Sequence, residues 1–240
     1  PHPFVDMPSY LAKFITRSSL IVDISDLWPE TVELRVKNDF LNSAFQGFGR
    51  FVNSIVLKHF SDCLSILNEP MRDFIIKCYG YNRRTFILYN SVDTESFIYD
   101  AELRLRKESL KRICSKHIED RFVVLYHGVI GPYQRLDNII KAAAIERKEL
   151  GKAVFVIVGE GEQKSKVLEL MHRMHLKNVI LISKLDRATV RKLVVESNLG
   201  LAPIVSNNSL TIRTVMTSKA MEFLAAGVPV LAPKGSFIGS

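Results

Sequence analysis

The segment "SKAMEFLAAGVPVL", residues 218–231, places Lys219 and Glu222 three apart at the start of an otherwise apolar helix. At that spacing both side chains lie on one helix face. Thr217 or Ser218 can cap the helix with a side-chain oxygen, and Gly227 can end it in a left-handed turn. Val228 to Leu231 then read as a short buried strand. A lysine at a helix N-terminus works against the helix dipole unless an anion is bound there. A phosphate at that terminus would be met by backbone amides and by the ammonium together. Glu222, one turn further in, could accept hydrogen bonds from ribose hydroxyls. A plain surface ion pair, worth about 0–1 kcal/mol, explains the same spacing.

Two glycine-containing segments accompany this helix. "VGEGEQK" follows a strand and opens a helix, although a dinucleotide fingerprint would want a third glycine where Lys164 stands. A tight strand-to-helix turn accounts for it equally. "HGVIGPYQ" is a second such loop at an equivalent strand end. His127, inside it, reads either as a site residue or as a satisfied strand-end histidine. There is no D-x-D pair, so chelation of a donor through a metal is not expected, and no metal or other cofactor is. His172 and His175 lack an acidic partner between them and read as surface.

The elements that must carry these groups alternate regularly. Strands are expected at "LIVDI", "CLSIL", "RTFILYN", "RFVVLYHG", "AVFVIVGEG", "NVILIS" and "LGLAPI". Helices are expected over 8–17, from about Asp39 to Phe60, from Glu69-Pro70 onward, and over 131–150, 162–175 and 186–197. Apolar strands alternating with amphipathic helices predict an α/β protein with parallel sheets covered on both faces. Ligands of such sheets bind beyond the carboxyl ends of the strands. Gly128, Gly131, Gly159, Gly161 and the loop after Ile204 all fall there. On α-helical spacing, Phe45, Phe48, Phe51, Val52 and Ile55 form a stripe that either faces a core or rests on a membrane.

Composition sets the outer limits. The chain has 240 residues, 47% of them hydrophobic and 24% charged, which suits one large or two modest folded domains. No apolar run approaches the ~18 residues of a membrane span, and the start has no signal-peptide pattern. Cys63, Cys78 and Cys114 make neither a zinc pattern nor a disulfide framework, so a reducing cytoplasm is expected. The net charge of +8 lies entirely in residues 121–240. That excess either favours an anionic ligand or is a solvated surface. No basic run with interleaved aromatics points to nucleic acid.

Taken in order, "ILYNSVDTESF", "YHGVIGPYQRLDNIIKAA", "FVIVGEGEQKSKVLEL", "NVILISKLDRATVRKLVVESNLGLAPI" and "SKAMEFLAAGVPVLAP" resemble the successive blocks of the GT-B glycosyltransferases of family 4. "IVDISDLWPE" is similar to the end of an N-terminal-domain strand in the branch acting on bacterial and archaeal surface sugars. The resemblance implies two facing Rossmann-like domains: residues 1–95 as part of an acceptor-side domain, 96–120 as a connector and 121–240 as a nucleotide-sugar donor domain. It further implies retaining transfer of a hexose to an acceptor hydroxyl, in cell-surface polysaccharide or glycolipid synthesis. The acceptor would be a glycan or a lipid-linked sugar, and the setting the cytoplasm or the inner face of the membrane, with peripheral attachment. A catalytically silent sugar-nucleotide-binding protein or an epimerase of the same fold are the alternatives.

By that resemblance Glu222 matches the ribose-binding glutamate and Lys219 stands beside the diphosphate. Gly131 and Gly159 lie in loops at the donor, Lys184-Leu185 cradle the base, and the loop Ser209–Thr217 faces the transferred sugar. Thr214 occupies the position of an earlier glutamate, and Val129 and Gln134 replace a common arginine and lysine. Arg135 stands where glycine is usual, and Ser25, followed by Asp26, replaces a histidine of the first domain. Charge compensation then leans on Lys219 with Arg135 or Arg213, and Asp26 and Lys219 are the catalytic candidates. Both ends look cut from something longer, so residues 1–240 are expected to bind nucleotide without measurable transfer.

Overall fold

The computed structural model describes residues 7–30, 39–101, 107–114, 118, 120–204 and 209–236. The chain divides into two compact units, one of residues 1–90 with 208–215, the other of residues 91–207 with 216–240. Residues 1–6 and 237–240 fall outside the described residues, as do 205–208 of the loop after Ile204.

The first unit begins with α1 (Met7–Thr16) and β1 (Ile21–Ile24), then α2 (Asp39–Phe60) and β2 (Cys63–Ile66). It continues through α3 (Glu69–Phe74), a π-helical turn at Ile75–Tyr79 and β3 (Arg84–Ile87). The three strands pair in parallel in the order β1-β2-β3. Ile24, Leu57, Leu64, Ile66, Ile75 and Tyr81 fill the core beside them. Asn68 starts α3, its Oδ1 accepting from Met71 N at 3.0 Å, and Pro70 sits where its missing N–H is no loss.

The aromatic stripe of α2 does not face this core. Gly49, Asn53 and Leu57 are the buried positions, whereas Phe48, Phe51 and Ile55 are exposed. Gly49 sets the rotation: a Cβ there would stand 2.6 Å from Pro29 Cγ, so only glycine allows the approach. Asn53 Nδ2 donates to the Trp28 carbonyl on the same side.

Residues 209–217, expected as a loop, instead carry α9 (Ser209–Thr214), and it belongs to the first unit. Thr214 Oγ1 donates to Leu210 O at 2.9 Å, and fully buried Asn68 donates through Nδ2 to Thr214 O at 2.8 Å. One asparagine thus caps the start of α3 and the end of α9. A bond between residues 146 apart in sequence is invisible to local pattern.

The second unit opens with α4 (Thr94–Ala101) and α5 (Glu108–Cys114), so the stretch read as a connector contributes helices to a core. Buried Glu196 accepts from Ser109 N and Leu110 N at 3.0 and 2.8 Å, satisfying the amides that begin α5. Next come β4 (Phe122–His127), α6 (Leu136–Glu149), β5 (Ala153–Val158), α7 (Lys164–Arg173) and β6 (Val179–Ile182). The unit closes with α8 (Arg187–Glu196), β7 (Leu199–Leu201), α10 (Ser218–Ala225) and β8 (Val230–Leu231). All five strands are parallel, in the order β6-β5-β4-β7-β8.

Strand alternation sends Val123, Leu125, Val154 and Val156 to one face, against α5, α8 and α10. Val124, Tyr126, Phe155 and Ile157 go to the other, against α6 and α7. The helix expected over 131–150 is interrupted. A 3₁₀ turn at Pro132–Gln134 leads to Arg135 at φ 42°, a left-handed residue that breaks the helical path before α6 begins.

Candidate functional site

Beyond the carboxyl ends of β4, β5 and β6, the second unit has a cavity of about 640 Å3. His127, Gly159, Lys184, Arg187, Lys219 and Glu222 are among its lining residues. A cavity of similar size, about 660 Å3, lies at the opposite strand ends, lined by Arg121, Val154 and Asn178. Only the first collects the strand-end loops and the start of α10, the position at which parallel sheets bind ligands.

Two loops build its floor. A Cβ on Gly159, at φ 156°, would be 1.9 Å from Gly128 O, so glycine is required. Gly128 N donates to Val158 O at 2.9 Å, Ile130 N to Glu160 O at 2.8 Å, and Gln163 N to Ile130 O at 3.0 Å. Lys164, where a third fingerprint glycine would stand, is held by Glu160 at 2.6 Å and by Ser183 at 2.9 Å.

The charged wall comes from α10. Thr217 precedes the helix in an extended conformation, but its hydroxyl makes no capping bond and is buried without a partner among the described residues. Gly227, at φ 66°, ends the helix as expected, and Val228 N reaches back to Phe223 O at 2.9 Å. Lys219 passes close to Gly128, where a Cβ would be 3.2 Å from Cε. Its ammonium lies 4.8 Å from the centre of the Tyr126 ring. Burial lowers the Lys219 ammonium to about 8, with Glu222 pulling the other way. Burial likewise raises the Glu222 carboxyl, against the opposing charges of Arg187 and Lys219.

His127 ends β4, with its ring 5.2 Å from that of Phe223 and Nε2 3.4 Å from Glu222 Oε2. Burial, then the Lys219 ammonium, hold its imidazole down at about 4. At neutral pH the ring is therefore uncharged, and its approach to Glu222 is a dipole–charge contact. Arg187 Nη2 stands 4.0 Å from the other oxygen, Glu222 Oε1, and is almost wholly exposed.

Of the residues expected at the donor, Gly159, Lys184, Leu185, Lys219 and Glu222 meet in this cavity. Gly131 and Arg135 line a smaller one of about 280 Å3, with Asp137 and Lys166. Arg135 is bound there by Asp137 at 2.9 and 3.1 Å, which holds the Asp137 carboxyl down at about 2. Asp26, Arg213 and Thr214 belong to the first unit. Asp26 is exposed in the turn after β1, Thr214 is buried at the end of α9, and Arg213 lines a separate cavity with Lys77 and Asp73. Arg187 and Glu160 carried no specific signal in sequence; the clue was their placement, Glu160 in the loop after β5 and Arg187 at the first position of α8.

The fold defines an α/β protein with parallel sheets of the GT-B type. The sequence profile of the family described as Glycosyl transferases group 1 matches residues 109–238, and the chain belongs to that family. Among solved structures, it is similar to Anabaena HepE in complex with UDP-glucose, at TM-score 0.69 and 18% identity, covering 98% of this chain and 58% of that one. It is similar also to a UDP-forming α,α-trehalose-phosphate synthase of Burkholderia xenovorans, at TM-score 0.67 and 12% identity, covering 94% and 56%. WaaG, a glycosyltransferase involved in lipopolysaccharide biosynthesis, matches at TM-score 0.62 and 18% identity, covering 88% and 55%. The chain thus spans little more than half the length of each. No curated protein matches by sequence. Among the described residues no helix is long and apolar enough to cross a membrane.

Proposed function

We propose that the chain forms the donor-binding part of a retaining glycosyltransferase that moves a hexose from a nucleotide sugar to an acceptor hydroxyl. The observation that carries this reading is the meeting of Lys219 and Glu222 at the start of α10 with two glycine loops in one cavity. The α10 amides and the Lys219 ammonium take the diphosphate, Glu222 takes the ribose hydroxyls, and Lys184-Leu185 bound the base. In the transfer step the acceptor oxygen bonds to the anomeric carbon as the bond to the β-phosphate oxygen breaks. The acceptor proton passes to that phosphate oxygen, and the nucleoside diphosphate leaves. The protein's contribution is positioning and stabilisation of the departing negative charge. Asp26 is the candidate carboxylate on the acceptor side.

With Lys219 and the helix terminus supplying positive charge, donor binding needs no divalent metal. A glycan or lipid-linked acceptor, used in polysaccharide or glycolipid synthesis at the inner face of the membrane, fits the similarity to WaaG. The exposed Phe48, Phe51 and Ile55 of α2 are the apolar groups that would rest on that membrane. Calorimetry with UDP tests the assignment. Lys219→Ala should weaken diphosphates more than nucleosides, and Glu222→Ala should weaken every ligand with a ribose. Both variants binding UDP as the parent does would sink it.

A further inference from the structure

A buried polar atom without a hydrogen-bond partner costs about 1–3 kcal/mol, and one that faces a cavity calls for a reason. His127 Nε2 is such an atom: the residue is 8% exposed and the nitrogen lacks a partner among the described residues. It lies 3.4 Å from Glu222 Oε2, just beyond a good hydrogen bond, and lines the same cavity. The ring is not free to drift. It terminates a six-residue strand paired on both sides, and it packs against Phe223, a fully buried residue that follows Glu222.

We infer that His127 is a positioning residue: its Nε2–H fixes the Glu222 carboxylate so that the carboxylate is aimed at a ribose. The inference rests on the donor-site reading above. The geometry of Glu222 supports it from the other side. Among the described residues, the contacts of the carboxylate are Oε1 with the distant, solvent-exposed Arg187 at 4.0 Å and Oε2 with His127, and of these two groups His127 is the rigid one. A movement of a few tenths of an ångström, on closure around a ligand, turns the 3.4 Å approach into a hydrogen bond. An uncharged imidazole suits the task. It donates one proton without neutralising the carboxylate that must accept from the sugar, as an arginine or lysine at that distance would.

The test is a double-mutant cycle read by calorimetry on the full chain, with UDP and 2′,3′-dideoxy-UDP as probes. His127→Ala should weaken UDP about tenfold and the dideoxy compound less than about twofold, the loss of one hydrogen bond to a charged group. In a Glu222→Ala background, His127→Ala should change neither. His127→Gln, whose amide nitrogen reaches the place of Nε2, should restore UDP binding to within about threefold and covers the case in which the alanine variant does not fold. Equal loss for both nucleotides, additive losses in the double variant, or a glutamine variant no better than alanine would overturn the inference. If Glu222→Ala erases the preference for UDP while His127→Ala leaves it intact, the donor site stands and only the role of His127 falls. If the parent chain does not distinguish the two nucleotides, both fall.

Discussion

Replacing Lys219 with methionine should make the unliganded protein more stable while removing its grip on diphosphates. The Lys219 ammonium sits in the folded chain at about 8 against an ordinary 10.5, chiefly because it is buried. At about 1.4 kcal/mol per pH unit, keeping it charged at neutral pH costs the folded state about 3 kcal/mol. Methionine fills a similar volume without charge, but it forfeits the contact with the Tyr126 ring and leaves Glu222 with Arg187 but no longer Lys219 as an opposing charge. A net gain of about 1–2 kcal/mol at pH 7 is expected. The pH dependence is the sharper signature. Between pH 8 and 10.5 the folded lysine is neutral while the unfolded one still holds its proton, so stability of the parent rises with pH across that window. Lys219→Met should lose that rise. Urea unfolding should be followed by circular dichroism, because the single tryptophan, Trp28, reports only the first unit. With UDP at about 100 times its Kd the order reverses, as the parent gains about 2.7 kcal/mol and the variant gains little. A methionine variant less stable than the parent at pH 7, or one keeping the same rise above pH 8, would refute the reasoning.

Burial and the Lys219 ammonium set the His127 imidazole at about 4 against its usual 6.5. The unfolded chain then takes up the proton first, so this residue's contribution to stability is full above pH 6.5 and lost as pH falls to 4; His127→Gln should flatten that part of the acid profile in urea titrations. Gly159→Ala puts a Cβ 1.9 Å from Gly128 O at a backbone angle that side chains rarely adopt, and thermal denaturation should report a loss of about 3 kcal/mol or more. EDTA should leave the Kd for UDP unchanged in calorimetry, since Lys219 and the α10 terminus provide the charge; loss of binding restored by magnesium or manganese would contradict this.

The parallel sheet of the second unit was legible because its strands are continuous apolar runs between amphipathic helices, and the observed cores follow that alternation residue by residue. Lys219 and Glu222 were legible because a cation at a helix start is electrostatically odd. His127 stayed ambiguous for a different reason. Sequence places it at a strand end, but the packing of Phe223 and the loop at Gly128 decide which side chain it meets. The outward turn of Phe48 and Phe51 was equally hidden, since periodicity finds a stripe without saying which neighbour claims the opposite face. There Gly49 against Pro29 made the choice. The helical state of residues 209–214 depends on Asn68, far away in the chain, and the interruption at Arg135 on a backbone angle that arginine seldom adopts. Such features come from tertiary contact and not from local preference.

The crowding of Gly128 against Gly159 has a mechanical consequence. With the amide links from Ile130 to Glu160 and from Gln163 to Ile130, the two loops behave as a single stiff plate, unable to part without breaking several backbone bonds. A ligand landing on that plate finds its contour already set and spends little on ordering it. Adjustment to ligands of different shape must therefore come from the opposite wall, where Lys219, Glu222 and Arg187 hang on side-chain torsions. Fit to ligands of different shape in this cavity is accordingly a property of hinged side chains working against an anvil of backbone.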